Sequence, residues 1–194
     1  MAAKQNRFRG EAKHTPFMEG RSTRAPRLPA AAAALIAGII AAGPAASAGM
    51  PAEIAAPGET AVLTVHAEGA QIYECKAGED GKLAWTFREP IASLVLDGKT
   101  VGRHYAGPNW DHMDGSGVAA KVAGKVPGAT AKDIPWLKLA VTANRGDGML
   151  TGVTTVQRIN TMGGTMSGGC EMAGTFMSVP YAAEYVFLRK EMTQ

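Results

Sequence analysis

The sequence predicts a single all-β domain, an antiparallel β-sandwich or barrel with glycine-rich loops, preceded by a helical signal peptide. After the first 48 residues, short segments in which apolar and polar side chains alternate recur along the chain. Glycine, proline, aspartate and asparagine separate these segments, and almost no stretch has helical periodicity. Many short strands with glycine-rich turns are typical of sandwiches and barrels.

The first 48 residues have the pattern of a secretory signal peptide. Residues 1–27 hold seven basic and two acidic side chains, an apolar run follows over 28–43, and Ala46-Ser47-Ala48 matches a small-x-small cleavage site. An uncleaved anchor is the alternative, but the run is short against the roughly 20 residues of a bilayer span. We therefore expect a signal peptide over 1–48 (with Met18 as an alternative start), a mature domain over 49–194, a periplasmic or secreted location, and no stable membrane span after cleavage.

The basic charge of the chain belongs to this leader. The whole chain is formally +3, and residues 1–27 carry a net +5, which leaves −2 on the remainder. The mature part therefore lacks the basic patch that nucleic-acid-binding proteins use, and no nucleic-acid partner is expected.

The predicted strands follow one another along the mature part. Alternation over 60–67 and 71–75 predicts two strands joined by a turn at Glu68-Gly69. A second turn is expected at 78–81, and Asp97-Gly98 is a two-residue hairpin signal. The remaining strands are expected at 83–87, 94–96, 100–101, 136–142, 153–161 and 181–188, with one helical turn at 130–133.

The two cysteines, Cys75 and Cys170, both lie in the mature part. In an oxidising compartment an even pair predicts a disulfide. Such a bridge would close most of the domain and contribute about 4–5 kcal/mol in the chain-entropy model. A metal site or a reactive thiol is the alternative, but neither cysteine has the closely spaced partners that such sites show.

The stretch 102–116 concentrates the side chains that could carry chemistry. It holds two histidines, two aromatic residues, two aspartates and a serine between glycines and a proline. That composition predicts an exposed, shaped loop between strands, where binding and catalytic groups tend to lie.

A hydrolytic site is one interpretation of this stretch. His104 or His112 would act as the base and Ser116 as the nucleophile, with Asp111 or Asp114 orienting the base. No nucleophile elbow accompanies them. A turn over 114–117, in which the aspartate accepts hydrogen bonds from its own backbone, explains the same residues.

A metal site is a second interpretation. The carboxylates suit calcium and the imidazoles suit zinc or copper, but the spacing matches no established metal-binding loop. No metal and no cofactor are therefore expected.

Binding of a small polar ligand or a glycan is the third interpretation. Trp110, Tyr105 and Trp136 could offer flat apolar faces, and neighbouring polar groups could supply hydrogen bonds. The candidate ligand-binding residues are His104, Tyr105, Asn109, Trp110, Asp111, Arg158 and Asn160.

Arg158 and Asn160 are expected to share one face of their strand, because successive side chains alternate. A buried Arg158 would need a carboxylate partner, for instance Glu184 or Asp111. We expect a structural ion pair that ties the last strands together.

Several ordered motifs carry a family resemblance. They are QIYECK, WTF with the following REP, VGRHYAGPNWDHMDGS, IPWLKL, TTVQRINTMGG, the lone Cys170 and VPYAAEYVF. Together they resemble the domain of unknown function 3455 family, over residues 51–190. The resemblance implies a secreted or periplasmic bacterial protein, with relatives in fungi, and no established activity.

Two details qualify the resemblance. The chain has no glycine-rich dinucleotide-binding fingerprint, so the dehydrogenase label attached to some fungal relatives has no support here. Lys138 stands where the IPWL strand would be expected to carry an apolar residue. We expect a ligand-binding or structural module of the cell envelope, with a hydrolase or metal-dependent enzyme centred on His104 as the alternative.

Overall fold

A computed structural model describes residues 49–191, and it is a closed antiparallel β-barrel. The predicted signal peptide over 1–48 lies outside the described residues. Each strand pairs with the next in the chain, and the last pairs with the first. The strands are β1 (Glu59–Ala77), β2 (Leu83–Leu96), β3 (Lys99–Tyr105), β4 (Asn109–His112), β5 (Gly117–Val126), β6 (Trp136–Arg145), β7 (Thr155–Gly163) and β8 (Phe176–Lys190).

The all-β prediction is confirmed, and the architecture is a barrel rather than a sandwich. The helical turn expected at 130–133 is a non-helical turn, in which Asp133 accepts from the backbone N–H and the hydroxyl of Thr130. Within residues 49–191, no helix is long and apolar enough to cross a membrane.

Two of the three predicted turns are confirmed. Asp97 and Gly98 both adopt positive φ, at 49° and 74°, and they connect β2 to β3. Two successive residues of this kind match the right-handed twist of the flanking strands, which explains the Asp-Gly sequence. Residues 78–81 form the turn between β1 and β2, where Gly81 donates to Gly78.

The turn predicted at Glu68-Gly69 is wrong, because β1 runs unbroken through it for 19 residues. A Cβ on Gly69 would collide with the Ile91 carbonyl and with Ala92 on β2. The glycine is therefore needed for the close approach of two strands and not for a reversal. As a consequence, Gln71 and Tyr73 lie on the same interior face as Val65.

The hydrophobic core fills one end of the barrel. It is built from the first half of β1, the second half of β2 and the facing parts of the other strands, as the antiparallel register requires. Leu150 and Val153 of the β6–β7 connection complete it. Its largest apolar side chains include Val65, Leu94, Val118, Val156 and Phe187.

A short segment before β1 covers the outer face of β5 to β7. Ile54 is fully buried there, and its carbonyl accepts from the buried Gln157 Nε2 at 2.7 Å. The Ala55 carbonyl accepts from Lys138 Nζ at 3.0 Å. This contact explains why a lysine stands in the IPWL strand, since its ammonium group satisfies a backbone carbonyl of the covering segment.

The Cys75–Cys170 disulfide is present, with the two Cα atoms 5.9 Å apart and the two cysteines 95 positions apart in sequence. It joins the fully buried Cys75, near the end of β1, to the glycine-rich connection between β7 and β8. Backbone hydrogen bonds from Cys75 to Thr175 and from Gly174 to Cys75 hold the same connection. The bridge therefore anchors the long β7–β8 connection beside the second half of β1.

Candidate functional site

The stretch 102–116, predicted as one exposed loop, forms most of a hairpin instead. Residues 102–105 of β3 pair with 109–112 of β4 around a tight turn at 106–108. Because side chains alternate along a strand, this pairing sends neighbouring residues to opposite sides of the barrel wall. The candidate residues are thereby divided between the barrel interior and its outer face.

On the interior face, His104 stacks on its cross-strand partner Trp110. The two rings lie 4.4 Å apart with an interplanar angle of 10°. Tyr185 of β8 closes the group, with its ring centroid 5.0 Å from that of His104. His104 is only 2% exposed and Trp110 is fully buried, so the interior of the hairpin is an aromatic wall.

His104 is neutral at physiological pH. Burial lowers its pKa to about 4, and the nearby positive charge of Arg158 acts in the same direction, against the opposing hydrogen bond to the Asn109 carbonyl. That carbonyl lies 2.8 Å from Nδ1 and can only accept, so Nδ1 carries the proton. The other ring nitrogen, Nε2, therefore presents a lone pair.

A cavity of about 460 Å³ lies inside the barrel beside this wall. Its lining includes His104, Trp110 and Tyr185, and it continues over apolar side chains of β5 and β6. Phe87 and Val122, which are 50% and 54% exposed, mark its opening. The principal apolar lining residues are Phe87, Val122, Ile134, Leu137 and Leu139.

Two polar side chains other than His104 stand out in this lining. Arg158 donates from Nε and Nη2 to the Pro135 carbonyl, at 3.1 and 2.9 Å. Gln71 is 3% exposed, and its Nε2 has no hydrogen-bond partner among the described residues. A buried donor without an acceptor is costly, which makes this amide an unusual feature of the lining.

The ion pair expected for Arg158 is wrong. Among residues 49–191, no carboxylate lies within ion-pair distance of its guanidinium. Asp111 is on the outer face of the barrel, and Glu184 instead accepts from Asn160 Nδ2 at 2.8 Å. Arg158 and Asn160 do not share a face, because the register breaks between Ile159 and Met162 and Asn160 adopts a positive φ of 51°.

On the outer face, Asp111 is the centre of a saturated polar network. Its Oδ2 accepts from Arg103 Nη2 at 2.8 Å, and its Oδ1 accepts from Arg145 Nη2 at 2.7 Å and from the Tyr105 hydroxyl at 3.2 Å. Asn109 Oδ1 accepts from Arg145 Nη1. Partial burial raises the pKa of Asp111, but these hydrogen bonds outweigh it and hold the pKa below its ordinary value.

Ser116, His112 and Asp114 meet, but not in the order that acyl transfer needs. Ser116 Oγ donates to Asp114 Oδ1 at 2.6 Å, while His112 Nδ1 lies 2.9 Å from Asp114 Oδ2. In a catalytic triad the histidine stands between the other two, whereas here the carboxylate does. Asp114 also accepts from the Ser116 backbone N–H group, which forms the turn that the sequence predicts. It accepts from the Met149 backbone N–H group as well, and this bond holds the turn to the β6–β7 connection.

The pKa of Asp114 is strongly lowered, first by the Ser116 hydroxyl and then by the Met149 N–H group. These bonds stabilise the ionised carboxylate within a structural turn. Ser116 is 1% exposed, and its Oγ also accepts from the Leu150 N–H group at 3.1 Å. Within residues 49–191, no three histidine, cysteine, aspartate or glutamate side chains form a cluster that could hold a metal ion.

The family described as "Protein of unknown function (DUF3455)" matches residues 56–189. The chain belongs to this family. No curated protein and no solved structure matches the chain. The match confirms the resemblance drawn from the motifs.

The structure separates the seven candidate ligand-binding residues into three places. His104, Trp110 and Arg158 line the cavity. Tyr105, Asn109 and Asp111 belong to the outer network, and Asn160 lies on the surface beside Glu184.

The sequence interpretation missed Gln71, Tyr73 and Tyr185, which all line the cavity. A signal was present in their two-residue period. Gln71 and Tyr73 continue the interior series of Val65 and Ala67. Tyr185 lies two residues from Ala183 and from Phe187 and shares their interior face. The false turn at Gly69 broke the first of these series in the prediction.

Proposed function

We propose that this DUF3455 member is an exported protein that binds one small molecule with an apolar body inside its barrel. The observation that carries the proposal is the cavity of about 460 Å³ between the aromatic wall and Leu137. Small-molecule sites typically measure about 300–1,000 Å³ and combine apolar walls with a few placed polar groups. Eight-stranded barrels are also the size at which the interior has room for one small ligand.

The lining indicates what kind of ligand fits. Trp110, Tyr185 and Leu139 are buried apolar or aromatic walls, and polar groups are few. Each polar group of a glycan would need a partner in such a site, because unpaired polar groups are costly to desolvate. The lining therefore favours an apolar body over the glycan or small polar ligand suggested by the sequence.

Export is supported by two independent features. Residues 1–48 have the order of a secretory leader, with a basic region, an apolar run and a small-x-small site. The Cys75–Cys170 disulfide is the kind of bond that persists in oxidising compartments. We therefore propose that the protein binds its ligand in the periplasm or outside the cell, as a ligand-binding module of the envelope.

The hydrolase alternative has less support. A general base works best with a pKa near the operating pH, whereas burial holds the pKa of His104 at about 4. The hydroxyl of Ser116 donates to Asp114, and the His104 ring bonds to the Asn109 carbonyl. The histidine is better suited to shape and polarise a binding cavity than to activate that serine.

Calorimetric titration of the mature protein with octanol tests the proposal. We expect saturable one-to-one binding to the unsubstituted protein. Leu137→Trp, which fills the cavity, should weaken binding at least about tenfold by occluding the site. Met113→Trp adds the same ring at a side chain that is 74% exposed, and it should bind as the unsubstituted protein does.

Thermal unfolding of both variants checks that each is folded before titration. Absence of saturable binding for octanol, octanoate and octylamine alike would overturn the proposed function. Undiminished binding by a folded Leu137→Trp variant would show that the ligand binds elsewhere.

A further inference from the structure

We propose that the ligand of this cavity is an amphiphilic anion, whose carboxylate Arg158 binds while its apolar body lies along Leu137 and Leu139. This inference rests on the proposed function and names its ligand class. It follows from the charges and hydrogen-bond donors that the cavity leaves without partners.

Arg158 is a cation in an apolar setting, and the described part of the chain places no anion beside it. Its two observed bonds go to the neutral Pro135 carbonyl, and no carboxylate within residues 49–191 pairs with it. Its charge is felt inside the cavity, since it helps burial to lower the pKa of His104 and offsets part of the rise that burial causes in the pKa of Tyr185. An uncompensated guanidinium at an apolar surface favours a ligand that brings a negative charge.

Arg88 offers an internal contrast, because it lines the same cavity but is already neutralised. Its Nε lies 3.1 Å from Glu89 Oε1, and its Nη1 lies 4.0 Å from Glu74 Oε2. Its guanidinium also lies over the Phe176 ring at 4.8 Å. The unpaired charge in the cavity therefore belongs to Arg158.

The hydrogen-bonding groups of the lining are also biased towards an acceptor ligand. Gln71 Nε2 and Trp110 Nε1 are buried donors without partners in the described part of the chain. Burial raises the pKa of the Tyr185 hydroxyl, so it stays protonated, and it lies 3.4 Å from the Tyr181 hydroxyl. A carboxylate offers several acceptor lone pairs, and charge-assisted hydrogen bonds to it are the strongest available to such donors.

The remaining lining suits an aliphatic or aromatic body. Leu137 is the cross-strand neighbour of Arg158, so an apolar chain attached to a bound carboxylate would meet it at once. From there the lining leads over Leu139 to the exposed Phe87 and Val122 at the opening. Burial of these methylene groups supplies the non-directional part of the affinity.

The test compares three probes that share one octyl body: octanoate, octanol and octylamine. At pH 7 the carboxylate is ionised, because an ordinary carboxyl group has a pKa near about 4. We expect octanoate to bind the unsubstituted protein about 10- to 100-fold more tightly than octanol, as one charge-assisted hydrogen bond predicts, and octylamine to bind most weakly.

Arg158→Gln removes the interior charge and should bring octanoate down to the affinity that octanol has for the same variant. Arg103→Gln is the matched control, because it removes one positive charge from the outer face. It should leave all three affinities as they were. Arg158→Lys should retain part of the preference for octanoate, since it keeps the charge but loses the planar fork.

The outcomes separate this inference from the proposed function. Equal binding of octanoate and octanol to the unsubstituted protein would overturn the anion preference while leaving the cavity as a binding site. Tightest binding of octylamine would overturn it as well. Equal losses in Arg158→Gln and Arg103→Gln would show only a general effect of net charge, which also contradicts it.

Discussion

The two faces of the β3–β4 hairpin are built from alternate residues of one stretch, yet they handle charge in opposite ways. On the interior face, His104 loses its charge because burial lowers its pKa to about 4. On the outer face, Asp111 keeps its charge because Arg103 and Arg145 offset the cost of partial burial. The interior face thus forms a wall of the cavity and the outer face a structural clamp, although adjacent residues of one stretch alternate between the two.

This contrast teaches that the side of the barrel decides the role of a residue more than its type does. Arg158 and Arg103 are the same side chain, but one faces an apolar cavity and the other a carboxylate. An unpaired charge inside the barrel raises the free energy of the folded state, because it loses its hydration. On the outer face, solvent and opposite charges remove most of that cost.

The largest expected difference between the two faces is in the free energy of unfolding that is lost when an aromatic residue of each face is truncated. Trp110→Ala should lower the free energy of unfolding by about 3–5 kcal/mol, because its ring is fully buried against His104, Tyr185 and Phe187. Tyr105→Ala, on the outer face, should lower it by less than about 1 kcal/mol. Urea unfolding of both variants measures the difference, and equal losses would contradict the division into two faces.

The next effect is a pH dependence that only the interior face produces. The pKa of His104 is about 4 in the folded chain, against an ordinary value of 6.5 once the chain unfolds, so the unfolded state takes up a proton first as pH falls. The free energy of unfolding is therefore at its full value above about pH 6.5. It falls by about 3 kcal/mol in all as the pH is lowered to about 4.

His104→Phe keeps a ring on Trp110 but has no proton to bind. Its unfolding free energy, measured by urea denaturation at intervals between these pH values, should change less than that of the unsubstituted protein. Parallel pH profiles for the two proteins would refute the buried neutral histidine.

A smaller effect is expected from the carboxylate of the outer network. Asp111→Asn removes the charge that Arg103 and Arg145 share, and it should cost at most about 1 kcal/mol because the site is partly solvated. The loss should shrink in high salt, which screens the pairs that it removes. A salt-independent loss would indicate that the network acts through packing instead.

The smallest effect is expected for Arg103→Gln. Asp111 keeps its bonds from Arg145 and from the Tyr105 hydroxyl, and the Arg103 guanidinium is largely in solvent. Its thermal midpoint should match that of the unsubstituted protein. A clear drop would mean that the outer clamp is more tightly coupled than its exposure indicates.

Much of the fold could be predicted because its signals are local. The Asp97-Gly98 hairpin follows from the positive φ that both residues adopt readily. The disulfide followed from having two cysteines in a chain with a leader, and the Asp114–Ser116 turn from the short reach of an aspartate side chain. The prediction failed at Gly69 because a glycine for a turn and a glycine for close strand approach look the same in sequence.

The candidate site was predicted only in part, for a related reason. His104, Trp110 and Arg158 do line one cavity, whereas Tyr105, Asn109 and Asp111, which the prediction grouped with them, belong to the outer network. The stretch was taken as a loop, in which side chains have no regular direction, so the alternation that separates the two sets was not applied.

The sequence by itself determined the all-β class, the Asp97-Gly98 hairpin turn, the cysteine pair and the family, because each depends on residue types or short-range spacing. Only the tertiary structure decided that His104 is neutral, that Arg158 has no carboxylate partner among residues 49–191 and that a cavity separates the aromatic wall from Leu137. Those properties arise when β8 closes on β1 and brings Tyr185 against His104. Desolvation and charge pairing depend on neighbours that are distant in sequence, and a local pattern cannot specify them.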